Sequence, residues 1–369
     1  MLTGIAYIAF LFLVVRFLVS FINILYSPVL KHQKMAGTPK VSVLIPARNE
    51  EKTIVQLLND LIQQDYRNME VIVYNDQSTD RTGEIAESFV ANDKRFRVIH
   101  SVGLPEGWLG KNHACHQLAG EASGEYFLFL DADVRGNRNF IESALAQMEK
   151  HQLALLSVFP RQEMQTPGEK MIVPVMNSIL LSLLPMILTR ISPRPSLAAA
   201  NGQFMLFRAK TYRKVLPHKK VKNLLVEDIL ISRLYKSNHL RIQCMTGNET
   251  IRCRMYQNLK EALHGLSRSV AEFFGGSHWV AFLYWLTGTI GIFAIISGLS
   301  AIFSYIALAL MAGTIVCVSV ASRQPVWQNL LYAIPRQLFL GIIIFFSYKN
   351  KKLKRTQWKG RNINNSSIT

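Results

Sequence analysis

Two carboxylates separated by one residue end a short apolar run, FLFLDAD, over Phe127–Asp133. An apolar run of this length, bounded by polar residues, predicts a strand buried on both faces of a parallel sheet. Ligands of such sheets bind beyond the carboxyl ends of the strands, so Asp131 and Asp133 would lie at the mouth of a cleft. Two acids so close repel each other unless a cation joins them. The alternative is a solvated turn, because acids are common in turns.

Carboxylate oxygens are ligands that suit Mg²⁺ or Mn²⁺, and Mg²⁺ usually takes one or two carboxylates together with substrate phosphates. The pattern therefore raises the hypothesis of a metal-diphosphate site. That hypothesis needs a parallel sheet around the two aspartates, and the flanking sequence predicts one.

Strands and helices alternate through the middle of the chain, which indicates a mostly parallel α/β sheet. The predicted strands are Val41–Ile45, Glu70–Tyr74, Phe96–Ile99, Tyr126–Leu130, Leu153–Phe159, Gln203–Arg208 and Arg241–Met245. The predicted helices are Thr53–Gln64, Thr82–Val90, Lys111–Ala122, Arg138–Lys150, Val226–Ser237 and Gln257–Phe274.

The first apolar segment, Leu2–Tyr26, is long enough to cross a bilayer as a helix. Arg16 interrupts it, at a cost of a few kcal/mol unless the side chain snorkels or packs against protein. Lys31, Lys34 and Lys40 follow the segment, which predicts that the next domain faces the cytoplasm. We interpret the segment as an anchor and not as a cleaved signal peptide, because no basic residue precedes it.

Three more apolar segments follow the middle of the chain: Trp279–Gly298, Ala301–Ala321 and Trp327–Tyr348. If all three crossed, the basic stretch Lys349–Arg361 would lie outside the cytoplasm, against the positive-inside rule. We therefore expect the last segment to lie along the interface or re-enter, which would leave Trp358–Arg361 near the soluble domain. The expected organisation is an anchor over residues 1–30, a cytoplasmic α/β domain over 38–275, membrane or interfacial helices over 277–348 and a basic tail over 349–369.

Composition fits a multi-pass protein of the cell membrane with a soluble middle. Hydrophobic residues make up 49% of the 369 residues, and the net charge is +18. Two of the basic clusters, Lys31–Lys40 and Lys349–Arg361, flank apolar segments, as expected beside an anionic leaflet. Nucleic-acid binding would instead predict basic residues interleaved with aromatics on a soluble face, so no nucleic-acid partner is expected. The four cysteines show no paired spacing that would indicate a zinc site or a disulfide framework.

Four motifs stand in a fixed order: VSVLIPARNE (Val41–Glu50), VYNDQSTD (Val73–Asp80), FLFLDAD (Phe127–Asp133) and VED (Val226–Asp228). Together they resemble the family 2 glycosyltransferases with the GT-A fold. Shorter stretches resemble a membrane-bound subgroup of that family that includes the diaponeurosporenoate glycosyltransferases of carotenoid synthesis. They are WLGKNHAC (108–115), ANGQFMLF (200–207), RMYQ (254–257) and WKGR (358–361).

The resemblance assigns the first two motifs to a nucleotide-sugar donor. Pro46, Arg48 and Glu50 would contact the nucleotide, and Asp76 would bond the uracil ring. Lys111 stands at the start of a predicted helix, where a cation and a helix N-terminus together suit a diphosphate. A capped helix start and a surface lysine are the ordinary alternatives for these residues.

The other two motifs would hold the metal and the acceptor. By resemblance, Asp133 is the direct metal ligand, Asp131 bonds the ribose or the metal, and Asp228 is the catalytic base. Glu227 stands beside that base. An acid pair at a helix N-terminus is also favoured by the macrodipole alone.

Asn201 and Gln203 would line the acceptor side, and Arg254 would lie on the acceptor or diphosphate side. The chain lacks the Gln-x-x-Arg-Trp motif that processive family members carry after the catalytic acid; its helix reads LHGLSRSVAEFF over 263–274. The resemblance therefore implies transfer of one sugar and not processive synthesis.

The resulting expectation is an inverting, metal-dependent enzyme that moves one hexose, glucose from UDP-glucose, to a membrane lipid such as a carotenoid acid. A polyprenyl-phosphate glycosyltransferase or a short polysaccharide synthase is the alternative enzyme. A catalytically dead membrane scaffold is the alternative outside enzymes.

Overall fold

A computed structural model describes residues 2–26, 28–353, 357–359 and 361–362. The chain divides into two compact units that are interleaved in sequence. The helical unit comprises Met1–Pro28, Gln162–Ile187 and Arg254–Thr356, and the sheet unit comprises Val29–Arg161, Leu188–Cys253 and Gln357–Thr369.

The helices are α1 (Leu2–Tyr26), α2 (Ile54–Ile62), α3 (Thr82–Asn92), α4 (Gly110–Glu121), α5 (Phe140–Lys150), α6 (Pro167–Ile172), α7 (Pro174–Leu183), α8 (Leu188–Ile191), α9 (Ala209–Val215), α10 (Pro217–Lys220), α11 (Glu227–Ser237), α12 (Leu259–Ser269), α13 (His278–Thr289), α14 (Gly291–Gly298), α15 (Ala301–Ala321), α16 (Val326–Leu331) and α17 (Ala333–Lys352). The strands are β1 (Val41–Ala47), β2 (Met69–Asn75), β3 (Phe96–His100), β4 (Tyr126–Leu130), β5 (Val134–Gly136), β6 (Leu155–Phe159), β7 (Arg161–Gln162), β8 (Phe204–Arg208), β9 (Ile242–Thr246), β10 (Ile251–Cys253), β11 (Gln357–Trp358) and β12 (Arg361–Asn362).

The sheet unit is built on a seven-stranded sheet of order β3-β2-β1-β4-β8-β6-β9. Strands β1 to β4 pair in parallel, and β6 pairs in parallel with β9. Only β8 runs antiparallel to both of its neighbours within this sheet. The prediction of a mostly parallel α/β sheet is therefore confirmed, and each predicted strand lies within a few residues of an observed one.

The central strands are apolar throughout because both faces of the sheet are covered. In β4, Leu128 packs into a core with α2 and α5, whereas Phe127 and Phe129 point to the other face and pack with Leu118 of α4 and Tyr235 of α11. This alternation follows from the two-residue period of a strand. It explains why FLFL has no polar member before the first aspartate.

Strand register brings the carboxyl ends of three strands, β1, β2 and β4, and the start of β8 to one edge of the sheet. Ala47 at the end of β1 lies opposite Asn75 at the end of β2, so Arg48 and Asp76 follow side by side. Leu130 at the end of β4 lies opposite Phe204, the first residue of the antiparallel β8. The residues before β8 therefore reach the same edge as the aspartates after β4.

The helical unit contains two helices, α1 and α15, that are long and apolar enough to cross a membrane. The pair α13–α14 passes the same test when taken together, with a bend of 43°. The predicted segment Trp327–Tyr348 is broken at Tyr332 into α16 and α17, and neither helix qualifies as a span within the described residues.

Arg16 lies within the apolar helix α1 and packs against protein, one of the two ways in which its cost was expected to be reduced. Its Nε donates to the Ser182 hydroxyl at 3.2 Å, and its guanidinium lies 5.5 Å from the ring centre of Phe12 and 5.0 Å from that of Tyr284. Cation–π contacts of this kind stabilise a partly desolvated guanidinium.

The packing of β4 can be tested with Leu128→Ala. Leu128 is fully buried, so truncation is expected to cost about 2–5 kcal/mol through lost transfer energy and the cavity left behind. The measurement is the melting temperature of the purified chain in detergent. Val102→Ala is the control, because Val102 is fully exposed. An unchanged melting temperature for Leu128→Ala would contradict the packing described.

Candidate active site

Lys111 joins the two acidic motifs. Its Nζ lies 2.8 Å from Asp131 Oδ1 and 3.1 Å from Glu227 Oε1, and it donates to the Gly202 carbonyl at 3.5 Å. Burial works against a charged lysine, but the two carboxylates outweigh it and raise the pKa of Lys111 well above its ordinary value. The side chain is therefore a fixed cation between the end of β4 and the start of α11.

The backbone around the start of α4 holds Lys111 in this position. The Leu109 N–H donates to the Lys222 carbonyl at 2.7 Å. The buried amide of Asn112 donates to the carbonyls of Val221 at 2.7 Å and Leu224 at 3.1 Å. These bonds tie the first turn of α4 to the loop that precedes α11, so both partners of the ion pair are positioned together.

The VED motif begins with strained backbone. Val226 has φ 57° and ψ 49°, a left-handed conformation that β-branched residues rarely adopt. Such outliers cost about 1–3 kcal/mol and cluster at functional sites. Here the conformation precedes Glu227 and Asp228, the first two residues of α11, whose carboxylates lie beside Lys111 and Gly202 respectively.

Asp228 is held by two backbone donors. Its carboxylate accepts the Gly202 N–H and the Ile229 N–H, both at 2.8 Å. Burial and the neighbouring Glu227 nevertheless raise the pKa of Asp228 to about 7. Glu227 differs, because Lys111 and hydrogen bonds outweigh burial and lower its pKa. The two adjacent acids therefore ionise in different pH ranges.

Gly202 lies where a side chain would disturb this arrangement. A Cβ at that position would stand 3.0 Å from Lys111 Nζ and 3.1 Å from Glu227 Oε1. The residues on either side of this glycine, Asn201 and Gln203, are those predicted to line the acceptor side. The Asn201 side chain accepts the Gln203 N–H at 2.8 Å, which shapes the turn.

Asp131 pairs with the charged Lys111, whereas the Asp133 carboxylate accepts from an uncharged amide. The Gln203 amide donates to its carboxylate at 3.2 Å and to the Cys253 sulfur at 2.8 Å. Burial, Asp131 and Glu50 raise the pKa of Asp133 to about 7. A divalent cation would relieve this crowding of negative charge.

A metal would need ligands from beyond the protein. Among the described residues, no group of three or more His, Cys, Asp or Glu side chains is arranged to hold one. One or two carboxylates completed by phosphate oxygens and water is the usual Mg²⁺ arrangement, and Asp133 with Asp131 can supply that share. The donor set therefore fits a metal that binds together with a diphosphate.

The ends of β1 and β2 carry the other predicted residues. Arg48 donates to the carbonyls of Asp76 at 2.6 Å and Gln77 at 3.1 Å, so its guanidinium fixes the backbone after β2. Pro46 lies inside β1, paired with Tyr74. Glu50 accepts the Thr53 hydroxyl at 3.0 Å.

Two site residues near these strand ends were not predicted. Arg361 forms a two-pronged ion pair with Asp76, and Lys359 pairs with Glu50. The expectation that the WKGR stretch lies near the soluble domain is met at these two residues, although Gly360 falls outside the described part of the chain. The sequence signal that could have identified them was the presence of two basic residues in the WKGR stretch.

Arg254 does not belong to the sheet unit. It is part of the helical unit, where its guanidinium bonds the buried carboxylate of Glu169 at 2.9 Å. Its role on the acceptor or diphosphate side stays a prediction. The remaining predicted residues all lie in the sheet unit, at or beside the carboxyl edge of the sheet: Pro46, Arg48, Glu50, Asp76, Lys111, Asp131, Asp133, Asn201, Gln203, Glu227 and Asp228.

Comparison with known proteins gives consistent matches. Residues 42–216 match the model of glycosyl transferase family 2. The 4,4'-diaponeurosporenoate glycosyltransferase of Staphylococcus aureus (strain USA300) is 28% identical over 355 residues, which cover 90% of this chain and 91% of that protein. The protein of the same name from Staphylococcus haemolyticus (strain JCSC1435) is 28% identical over 248 residues, 65% of this chain and 64% of that protein.

A solved structure shares the fold. The mannosyltransferase PcManGT from Pyrobaculum calidifontis, in complex with GDP-Man and Mn²⁺, superposes with a TM-score of 0.58 at 14% identity. The match covers 96% of this chain and all of that one. The predicted GT-A fold, with apolar helices at the N-terminus and in the C-terminal region, is confirmed.

The Lys111 ion pairs can be tested with Lys111→Met. The change leaves Asp131 and Glu227 without their shared cation, and we expect a loss of about 2 kcal/mol of stability at pH 8. Burial already raises the pKa of Asp131, and without Lys111 it would rise further, while the pKa of Glu227, now lowered, would rise above its unfolded value. Stability would then be retained near pH 5, where they protonate, and lost as the pH rises towards 8.

The measurement is the melting temperature at pH 5 and pH 8. Lys40→Met is the matched control, because the Lys40–Glu70 pair is longer, at 3.6 Å, and Lys40 is more exposed. Such surface pairs contribute little. An equal loss for Lys111→Met at both pH values would contradict the charge assignment.

Proposed function

We propose that this chain, a glycosyltransferase with a family 2 domain over residues 42–216, transfers one hexose with inversion from a nucleotide sugar to a lipid acceptor. The single observation that carries the proposal is the contact of Lys111 with both Asp131 and Glu227. It joins the motif that would hold the donor to the motif that would act on the acceptor.

The donor would lie along the ends of β1, β2 and β4. Asp76 is suited to accept an N–H of the base, and UDP-glucose is the donor that we propose. The diphosphate would lie near Lys111 at the start of α4, where a cation and free helical N–H groups favour negative charge. Arg48, Glu50 and Pro46 would border the nucleotide.

Asp133, together with Asp131, would hold Mg²⁺ or Mn²⁺. When bound, the ion would offset negative charge on the departing diphosphate and orient it. The raised pKa of Asp133 and its position opposite the Gln203 amide support this assignment. Lys111 would supply fixed positive charge to the same end of the donor.

Asp228 would act on the acceptor. For an alcohol, the acceptor oxygen forms the new bond to the sugar carbon, the bond from that carbon to the diphosphate breaks, and Asp228 takes the proton. A pKa near 7 suits a general base at neutral pH. For a carboxylic acid, which is already ionised, Asp228 would orient the acceptor and take no proton.

We propose a carotenoid acid as the first acceptor to test. The relatives with 28% identity are named for diaponeurosporenoate, and this chain covers 91% of the length of the S. aureus protein. The lack of the Gln-x-x-Arg-Trp motif after Asp228 supports transfer of one sugar over polysaccharide synthesis.

We further propose a multi-pass membrane protein whose sheet unit faces the cytoplasm. The chain enters the sheet unit directly after α1, where Val29 bridges to Thr246. Its C-terminal return to that unit begins at Gln357, and Arg361 pairs with Asp76. An even number of crossings must lie between, which α13–α14 and α15 supply if α17 does not cross. The basic stretch Lys349–Arg361 then obeys the positive-inside rule.

Transfer can be tested with Asp228→Asn in purified membranes. Labelled UDP-glucose would be supplied with carotenoid acid, ceramide, diacylglycerol or polyprenyl phosphate, with and without EDTA. We expect a labelled lipid with the wild type, and a loss of at least about 100-fold with Asp228→Asn for an alcohol acceptor, since general-base catalysis contributes about 10²–10⁴-fold. EDTA is expected to abolish transfer.

Asp93→Asn is the matched control, since Asp93 pairs with Arg95 just before β3 begins, at the opposite end of the strand from the carboxyl edge. Label in a polymer or in polyprenyl phosphate would favour the alternative enzymes. Full activity of Asp228→Asn with an alcohol acceptor would remove the assigned base, and folded protein that binds no nucleotide would support the scaffold.

The topology can be tested by labelling introduced cysteines with a membrane-impermeant maleimide. The four native cysteines are buried, so background labelling is expected to be low. Ser300→Cys, between α14 and α15, should react in intact cells, whereas Arg323→Cys and Lys349→Cys should react only after permeabilisation. Reaction of Lys349→Cys in intact cells would show that α17 crosses.

A further inference from the structure

The described part of the basic tail contributes two short strands to the sheet unit. Strands β11 and β12 pair antiparallel, with Gln357 opposite Asn362 and Trp358 opposite Arg361. The two cations described within it, Lys359 and Arg361, each contact a residue of the donor edge. We call these two residues the tail clamp.

Arg361 lies between β2 and the start of α4. Its two terminal nitrogens contact the Asp76 carboxylate at 2.5 and 3.1 Å, and one of them also contacts the Gln77 side chain at 2.7 Å. A Cβ added to Gly110 would stand 2.5 Å from Arg361 and 2.8 Å from Asp76. The guanidinium therefore borders the same helix N-terminus that carries Lys111.

Lys359 lies at the end of β1. Its Nζ pairs with the Glu50 carboxylate and donates to the Asn49 carbonyl at 3.2 Å, and its own carbonyl accepts from Arg48 at 3.3 Å. Lys359 has φ 44°, and Asn49 has φ 53°, both in the left-handed region. This conformation is uncommon for lysine, whereas asparagine adopts it readily.

The charges of the donor edge show why these cations matter. Lys111 is already shared between Asp131 and Glu227. Arg48 holds three backbone carbonyls, and burial together with the nearby Arg361 lowers its pKa. A diphosphate would add negative charge to an edge that already contains several carboxylates. Positive charge from the tail would offset it.

We propose that the tail clamp binds the diphosphate of the nucleotide-sugar donor, with Lys359 and Arg361 supplying charge-assisted hydrogen bonds in addition to the positive charge of Lys111. The inference rests on the proposed function, because it requires a nucleoside diphosphate at this edge. Arginine suits the task, since its planar fork matches phosphate oxygens two at a time. The basic C-terminal stretch then completes the donor site in addition to following the apolar part of α17.

Two simpler roles make different predictions. If Arg361 only neutralises Asp76, its loss would weaken binding of the base and of the diphosphate alike. If Arg361 blocks Asp76, its loss would tighten binding of the base. A diphosphate clamp alone predicts a loss that depends on the number of phosphates in the ligand.

The test is equilibrium binding of uridine, UMP and UDP to the purified full chain in detergent with Mn²⁺. The variants are Arg361→Gln and Lys359→Gln, with Lys352→Gln as a control of equal charge change at the exposed end of α17. We expect each clamp variant to lose about 10- to 100-fold in UDP affinity, the usual size for a hydrogen bond to a charged group. Uridine affinity should change far less, and Lys352→Gln should bind like the wild type.

Folding is checked by the melting temperature, and Arg361→Lys keeps the charge beside Asp76 while losing the fork, so an intermediate loss for UDP is expected. Equal losses for uridine and UDP, tighter uridine binding, or unchanged UDP binding would each overturn the clamp while leaving the proposed function intact. If the wild type binds neither UDP nor GDP nor ADP, the proposed function fails and the clamp with it.

Discussion

The ion pairs of Lys111 are the interaction on which the arrangement of the site depends. A partly buried lysine is costly unless its charge is matched, and here two acids from different motifs match it. The end of β4, the start of α4 and the start of α11 must therefore come together. Strand register brings the end of β4 and the start of β8 to the same edge of the sheet. The ion pairs then fix the side chains at that edge.

The arrangement requires an unusual backbone conformation at one residue and the absence of a side chain at another. Val226 adopts a left-handed conformation before the two acids of α11, and Gly202 leaves room for Lys111 and Glu227. Asp133 and Asp228 retain raised pKa values near 7 because burial and neighbouring acids disfavour their charged forms. In the proposed function, Asp133 binds a cation and Asp228 accepts a proton, and a raised pKa suits both roles.

Much of the sheet could be predicted from sequence, because a short strand that is buried on both faces, such as FLFL, must be apolar at every position. The long apolar helices α1 and α15 were predicted with their observed bounds. The break at Tyr332 was not predicted, and Trp327–Tyr348 was treated as one apolar segment. Where such a segment breaks depends on its packing against other helices. The antiparallel direction of β8 also cannot be read from a strand pattern, because both directions give the same alternation of side chains.

The site shows the same division. Motif residues such as Asp131 and Asp228 could be selected as candidates because their types and order resemble a family. The contacts of Lys359 and Arg361 could not, because they join residues far apart in sequence: 310 positions for Lys359 and Asn49, and 285 for Arg361 and Asp76. The left-handed conformation of Val226 was equally hidden, since valine gives no sequence signal for it.

The most direct test of the central claim is the rate of glucose transfer from UDP-glucose to a carotenoid acid by Lys111→Met, measured beside the wild type and Lys40→Met. If the cluster around Lys111 is the catalytic centre, Lys111→Met should lose at least about 100-fold in rate, as expected when a fixed charge at the leaving group is removed. Lys40→Met should match the wild type. A Lys111→Met enzyme that transfers glucose at the wild-type rate would contradict the account.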